Sequence, residues 1–276
     1  MKTRIIVAVV FVPLLFIVIF FLPPYALAAV TAIVCAVCAY ELLRAAAPEG
    51  NVRLVVYAVV SAALIPAGAY FEVGDIAFTT LFLLLMCLAF LEAVFAFKTE
   101  KQITFAQIMT AIFGGALIPL LLSSLVSLKN MQDGRLFVLL PVISAFITDA
   151  GAYFSGVFLG KHKAFQLISP KKTVEGYIGG LIIGTAAMVI YGAILIYTTT
   201  YEVRLWALII YGVIGAALTE LGDLAFSLIK REFSVKDYGK LLPGHGGMLD
   251  RFDSMVLAAP AIYLLVQALP AIIVNK

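Results

Sequence analysis

Ser227-Leu-Ile-Lys230-Arg231-Glu-Phe-Ser-Val-Lys236-Asp237-Tyr-Gly-Lys240-Leu-Leu-Pro243-Gly244-His245-Gly246-Gly247-Met-Leu-Asp250-Arg251-Phe-Asp253-Ser254 is the one long polar loop expected in an otherwise oily chain. Apolar segments long enough to be helices flank it on both sides. Basic residues, a Pro-Gly-His-Gly-Gly turn and two carboxylates three apart occur together in it. Phosphate and divalent metal ask for that mixture of cations, free backbone N–H groups and carboxylates. The rest of the chain reads as the scaffold that holds this loop at a membrane surface.

Composition assigns the class. Hydrophobic residues make up 63% of the 276, charged residues 13%, and the mean hydropathy is +1.10. Soluble domains carry roughly a quarter charged residues, so this is an all-α, polytopic integral membrane protein. A net charge of +3, dispersed among loops, gives no footprint for nucleic acid. Cys35, Cys38 and Cys87 all fall in apolar runs, which argues for helix packing rather than redox or metal chemistry. Lys2 and Arg4 before an apolar run, with Ala26-Leu27-Ala28 after it, imitate a secretory signal. The run from Ile5 to Leu22 exceeds the ~7–15 apolar residues of such a signal, so it is expected to be retained as the first span.

A bilayer core takes about 20 apolar residues per helix. About nine stretches of that kind can be cut, at 5–22, 25–43, 54–71, 76–97, 103–128, 136–160, 174–198, 204–229 and 252–274. They form a single membrane domain, with residues 1–135 as scaffold and 136–276 carrying the catalytic loops. With the N-terminus inside, 15 of the 19 Lys and Arg face the cytoplasm, leaving Lys129, Arg135, Arg204 and Lys276 opposite. Positive residues mark the cytoplasmic side, which puts both chemically rich loops there.

Ionisable residues inside spans are costly and point to function. Asp149 lies deep in the sixth stretch, and Glu220 and Asp223 share one face of the eighth. Glu41 and Glu92 lie near span ends, where reaching out to the interface explains them. Gly156 and Gly160, then Gly176, Gly180 and Gly184, recur at the four-residue spacing that lets membrane helices approach closely. Between the sixth and seventh stretches, Leu167-Ile-Ser169-Pro170-Lys171-Lys172-Thr173-Val174-Glu175-Gly176 places two cations where a helix is expected to open at Pro170, which makes an anion site.

The run from Ser227 to Ser254 resembles the signature of the phosphatidate cytidylyltransferases, or CDP-diacylglycerol synthases. Ser169 to Gly176 is similar to their second recurrent motif, with Val174 where a tryptophan would be expected. The two motifs cover about 36 residues. The resemblance lies in the C-terminal half, since the N-terminal half matches only as a set of apolar spans. It implies that CTP and phosphatidate give CDP-diacylglycerol and pyrophosphate with magnesium, leaving a second cation open. It further implies metal-binding aspartates at Asp223 and Asp250 and a homodimer, while the size and compactness of the chain suggest a bacterial inner membrane as the setting.

Beside that implication, the residues suggest roles by their chemistry. Asp149, Glu220 and Asp253 are further ligands or orienting partners. Lys171, Lys172, Lys230, Arg231, Lys236 and Arg251 suit the phosphates of CTP or lipid, with Asp223, Asp250, Lys230 and Arg251 closest to the reaction. Ser169 and Thr173 would donate hydrogen bonds to the same oxygens. Gly244, Gly246 and Gly247 would let backbone approach a phosphate, and His245 would touch phosphate or the metal's surroundings. His162 reads as a surface residue.

Other readings can be weighed against this one. A cation-coupled transporter would bury the same carboxylates but has no need of the basic glycine-rich loop, and no inverted repeat is visible. A polyprenol kinase-like enzyme would share CTP and metal. A CDP-alcohol phosphotransferase would need an Asp-Gly-x-x-Ala-Arg motif, which Asp133-Gly134-Arg135 does not supply.

Overall fold

Inside hydrocarbon no water can bond the backbone, so every N–H and C=O must find its partner within the segment, and a span becomes a helix. The computed structural model describes residues 13–14, 16–99, 102–241 and 246–273. It meets that demand with α1 (Pro24–Ala46), α2 (Val52–Tyr70), α3 (Gly74–Phe95) and α4 (Phe105–Ile112). A π-helical turn (Phe113–Leu117) joins α4 to α5 (Ile118–Leu122) and α6 (Ser124–Asn130). Then come α7 (Gly134–Leu159), α8 (Val174–Thr198), α9 (Leu205–Glu232) and α10 (Leu249–Ala268). A two-residue strand, β1 (Glu202–Val203), pairs antiparallel with β2 (Ile272–Ile273).

Local chemistry sets the helix ends. Pro24 opens α1, where its missing N–H is no loss. The Asn51 side chain accepts the N–H groups of Arg53 and Leu54 at 2.9 and 3.4 Å to start α2. Thr104 and Gln107 cap α4 reciprocally. Thr173 caps α8 by accepting the Gly176 N–H at 3.1 Å.

Seven helical segments among the described residues are long and apolar enough to cross a bilayer: α1, α2, α3, Phe105–Asn130, α7, α8 and α9. Half of the expected first span lies outside the described residues. At the expected last span lies α10, whose first turn carries Asp250 and Arg251, with Asp253 just beyond it.

Two expectations about the polar segments are corrected. The loop is shorter than Ser227–Ser254, because α9 runs on to Glu232 and α10 begins at Leu249. Phe226, Ser227 and Lys230 are buried along α9 and continue its buried stripe. Lys230 and Arg231 in its last turn suit the negative end of the helix dipole. The helix expected at Pro170 starts instead at Val174, after a short hairpin. In that hairpin the Ala164 N–H donates to the Lys172 carbonyl at 3.0 Å, and the Val174 N–H to that of His162 at 2.9 Å.

The chain divides into two compact units. The first comprises Met1–Asn130 with Glu232–Phe252, so the polar loop packs with the N-terminal helices. Its core includes Leu43 of α1, Leu54, Val55 and Ala58 of α2, Ala89 of α3 and Ile108 of α4. The second comprises Met131–Arg231 with Asp253–Lys276. There the spaced glycines of α8 permit close packing: a Cβ on Gly184 would meet the Thr148 hydroxyl and come within 3.3 Å of the Ala216 Cβ. Gly184→Val should therefore lower stability by about 1–3 kcal/mol, the usual cost of overpacking. Thermal unfolding in detergent checks this, and an unshifted transition would show that α8 can move aside.

Candidate functional site

In the second unit α7, α8 and α9 enclose a cavity of about 480 Å³. Asp149, Ala152, Tyr153, Gly156 and Val157 reach it from α7. These positions recur every three or four residues and so form one helix face. Glu220 and Asp223 face it from α9, and Gly176 and Tyr177 from α8. Lys163, Lys171, Lys172 and Thr173 come from the hairpin before α8. The lining is thus apolar along part of α7 and carries charges from α7, α9 and the hairpin.

The central contact is an ion pair: Lys172 Nζ lies 2.6 Å from Asp223 Oδ2, with both side chains about a quarter exposed. The same ammonium stands 5.3 Å from the centre of the Tyr177 ring. Burial works against the Lys172 charge, but the Asp223 carboxylate, helped by Tyr177, outweighs it and raises the lysine's pKa. Lys172 therefore stays protonated across the physiological range.

A second polar chain runs from α9 through α10 to α7. Lys230 Nζ lies 3.8 Å from Asp253 Oδ2, both buried. Asp253 Oδ1 accepts the Ser254 N–H at 2.9 Å, and the Ser254 hydroxyl donates to Asp149 Oδ2 at 2.9 Å. Ser227 donates to Asp223 Oδ1 at 3.4 Å. Glu220 Oε1 is buried with no hydrogen-bond partner.

Could these residues hold a magnesium ion? The donor chemistry fits: hard carboxylate oxygens stand around one cavity, and burial leaves Glu220 Oε1 without a hydrogen bond. Among the described residues no three His, Cys, Asp or Glu side chains form a ready ligand group. Magnesium commonly takes one or two carboxylates and completes its shell with water and substrate phosphate, so a ready group of three is not required.

The polar loop belongs to the first unit. Asp250 Oδ2 accepts the N–H groups of Tyr238 and Gly247, each at 2.9 Å. Gly246 has φ +81°, which favours glycine. Lys236 and Arg251 are exposed. Gly244 and His245 lie outside the described residues. Asp223 and Asp250 belong to different units.

The remaining expected residues have definite surroundings. Lys171 is exposed at the cavity, and Ser169 accepts the Lys172 N–H through its carbonyl at 3.2 Å. Arg231 Nε donates to the Ile168 carbonyl at 3.0 Å, tying α9 to the hairpin. Thr173 serves first as the cap of α8. His162 is on the surface as expected, with Nδ1 2.5 Å from Glu175 Oε1.

Sequence reasoning passed over four residues. Tyr177 and Ser254 could have been suspected, since one lies in the first turn of the helix after the lysine pair and the other follows Asp253. Tyr153 follows Asp149 by four residues on the same helix. Glu41 was expected to reach out to the interface; it is buried instead, accepting the Met248 and Leu249 N–H groups at 3.0 and 2.9 Å. No local signal marks it.

Comparison with known proteins adds an independent line. The model of the cytidylyltransferase family matches residues 2–269. Over 134 residues the chain is 41% identical to the phosphatidate cytidylyltransferase of Staphylococcus haemolyticus strain JCSC1435, covering 49% of this chain and 50% of that one. Over 137 residues it is 39% identical to the phosphatidate cytidylyltransferase of Staphylococcus aureus strain COL, covering 50% and 51%. The chain thus spans about half the length of the curated relatives it matches.

The Lys172–Asp223 pair gives a direct test of the site. Lys172→Met leaves Asp223 without its counter-charge and should cost about 1–3 kcal/mol, as for an unpaired, partly buried polar group. Adding Asp223→Asn should recover part of that loss, since the two residues are in contact. Unfolding of the single and double variants in detergent measures the coupling, and strictly additive losses would count against the pair.

Proposed function

Because the chain belongs to the cytidylyltransferase family, matched over residues 2–269, we propose that it transfers a cytidylyl group from CTP to phosphatidate, giving CDP-diacylglycerol and pyrophosphate. The observation that carries the proposal is the cavity of the second unit. Lysines and carboxylates face each other there beside an apolar wall of Ala152, Tyr153 and Val157. A lipid phosphate needs both surfaces, one for its acyl chains and one for its charge.

The reaction brings two polyanions together. A phosphatidate oxygen attacks the α-phosphorus of CTP, the bond to the β-phosphate oxygen breaks, and pyrophosphate leaves. The attacking phosphate is already ionised near neutral pH, so positioning and electrostatics carry the catalysis rather than a strong general base. Lys163, Lys171 and Lys172 supply positive charge at the polar end of the cavity. Asp223 holds Lys172 in place, and Lys230 with Asp253 ties α9 to the part of α10 in the second unit. Magnesium, when bound, would neutralise the triphosphate and polarise its phosphoryl oxygens. Asp223, with Asp149 or Glu220, would hold it, and the proposal leaves a second cation open.

The proposal extends to the setting. The excess of Lys and Arg on one set of loops supports a cytoplasmic N-terminus, nine spans and cytoplasmic active-site loops in a bacterial inner membrane. A homodimer is included on the family resemblance alone.

Purified protein incubated with CTP, magnesium and phosphatidate should release pyrophosphate and form a CDP-lipid. Release of CDP with a phosphorylated lipid would favour the kinase-like reading instead. In the same assay Lys171→Gln with Lys172→Gln should reduce turnover at least about 100-fold, and Asp223→Asn or Asp250→Asn should do likewise. Near-normal CDP-lipid formation would remove the altered residue from the site. For orientation, a single cysteine placed at Ser234 in a cysteine-free background should resist an impermeant reagent applied to intact cells. Labelling from outside would invert the topology.

A further inference from the structure

We propose that Glu41 is the positioning residue of the polar loop: a carboxylate on α1 that fixes the backbone entering α10 and, through it, the place of Asp250. The inference rests on reading this loop as part of the cytidylyl-transfer machinery. It concerns the first unit alone, and it gives the N-terminal helices a part in the reaction beyond scaffolding.

The start of α10 has no cap of its own. The first N–H groups of a helix have no partner within it, and a Ser, Thr, Asp or Asn just before the helix normally supplies one. Here Gly246-Gly247-Met248 precedes Leu249, and none of these side chains can cap. Glu41 does so from 208 positions away, accepting the Leu249 N–H on Oε2 at 2.9 Å and the Met248 N–H on Oε1 at 3.0 Å. A carboxylate is well matched to the positive end of a helix, and this one is only 5% exposed.

The loop is shaped to receive it. A Cβ on Gly239 or on Gly247 would collide with the Glu41 carboxylate. Those two glycines thus admit a protein carboxylate, whereas the sequence suggested that Gly247 admits phosphate. One residue beyond the capped N–H groups, Asp250 turns back to accept the Tyr238 and Gly247 N–H groups. Glu41 therefore holds the backbone on which Asp250 stands, and Asp250 in turn gathers both sides of the loop. Removing the first carboxylate frees the second to move.

Two variants approach the contact from opposite sides. Glu41→Gln keeps the size but sets an NH₂ group against backbone donors, and Gly247→Ala pushes a methyl group into the carboxylate from the loop. The measurements are amide hydrogen exchange of the full chain in detergent, then kcat and KM for CTP. Both variants should speed exchange in peptides covering 236–241 and 246–252 by about tenfold or more while peptides of α8 keep their wild-type rates, and kcat should fall about 10- to 100-fold, as for residues that hold a functional group in place. Wild-type protection of the loop in both variants would overturn the proposal. So would uniform loosening of the whole chain, or an unchanged kcat despite a loosened loop. Should the wild-type protein form no CDP-lipid, the cytidylyltransferase reading fails, and the exchange rates alone still decide whether Glu41 holds the loop.

Discussion

A carboxylate among apolar helices calls for a cation or hydrogen-bond donors against it, and most of the second unit's polar architecture follows from that demand. Asp223 meets it with Lys172, Asp253 with Lys230 and the Ser254 N–H, and Asp149 with the Ser254 hydroxyl. Apart from the Ser254 N–H, each partner comes from a different segment, so charge matching also fixes how the hairpin and α7, α9 and α10 meet. The lysine most deeply involved lies outside the spans, where Asp223 keeps it charged despite partial burial. The hairpin is thereby anchored over the cavity by electrostatics as well as by its backbone bonds.

The helices were readable because their signal is long and repeated. Stretches such as 174–198 reappear with the same ends, since Thr173 caps one end and the apolar run stops at the other. Ends set by subtler balances were not readable. The polarity of Lys230 and Arg231 suggested a loop, yet the buried stripe through Phe226, Ser227 and Lys230 carries the helix past them. Likewise Lys171 and Lys172 suggested the opening of a helix, while Thr173 delays it to Val174.

The site was half readable for a similar reason. Asp149, Glu220 and Asp223 stand out because a charge in an apolar run is conspicuous, and they do share one cavity. Glu41 is no less buried, but it lies near a helix end, where an acid usually has an ordinary explanation. Its partners are backbone N–H groups of Met248 and Leu249, which every sequence possesses and none advertises. Contacts to backbone leave no trace in residue type on the partner's side.

The approach of α9 to α10 constrains how the cavity can change shape. A Cβ on Gly222 would stand 2.7 Å from the Asp253 carbonyl oxygen and 3.3 Å from the Ser254 Cα, so the two helices touch through bare backbone at that level. Surfaces meeting without side chains have nothing to re-rotamer and little slack for sliding. Asp223 and Asp253 flank this contact and so ride on one stiff frame. The hairpin of residues 160–173 is joined to that frame by a side-chain ion pair and by the Arg231 bond to Ile168, both of which can break and re-form. Mechanically the cavity thus has one side set by bare-backbone contact and another held by side-chain bonds alone.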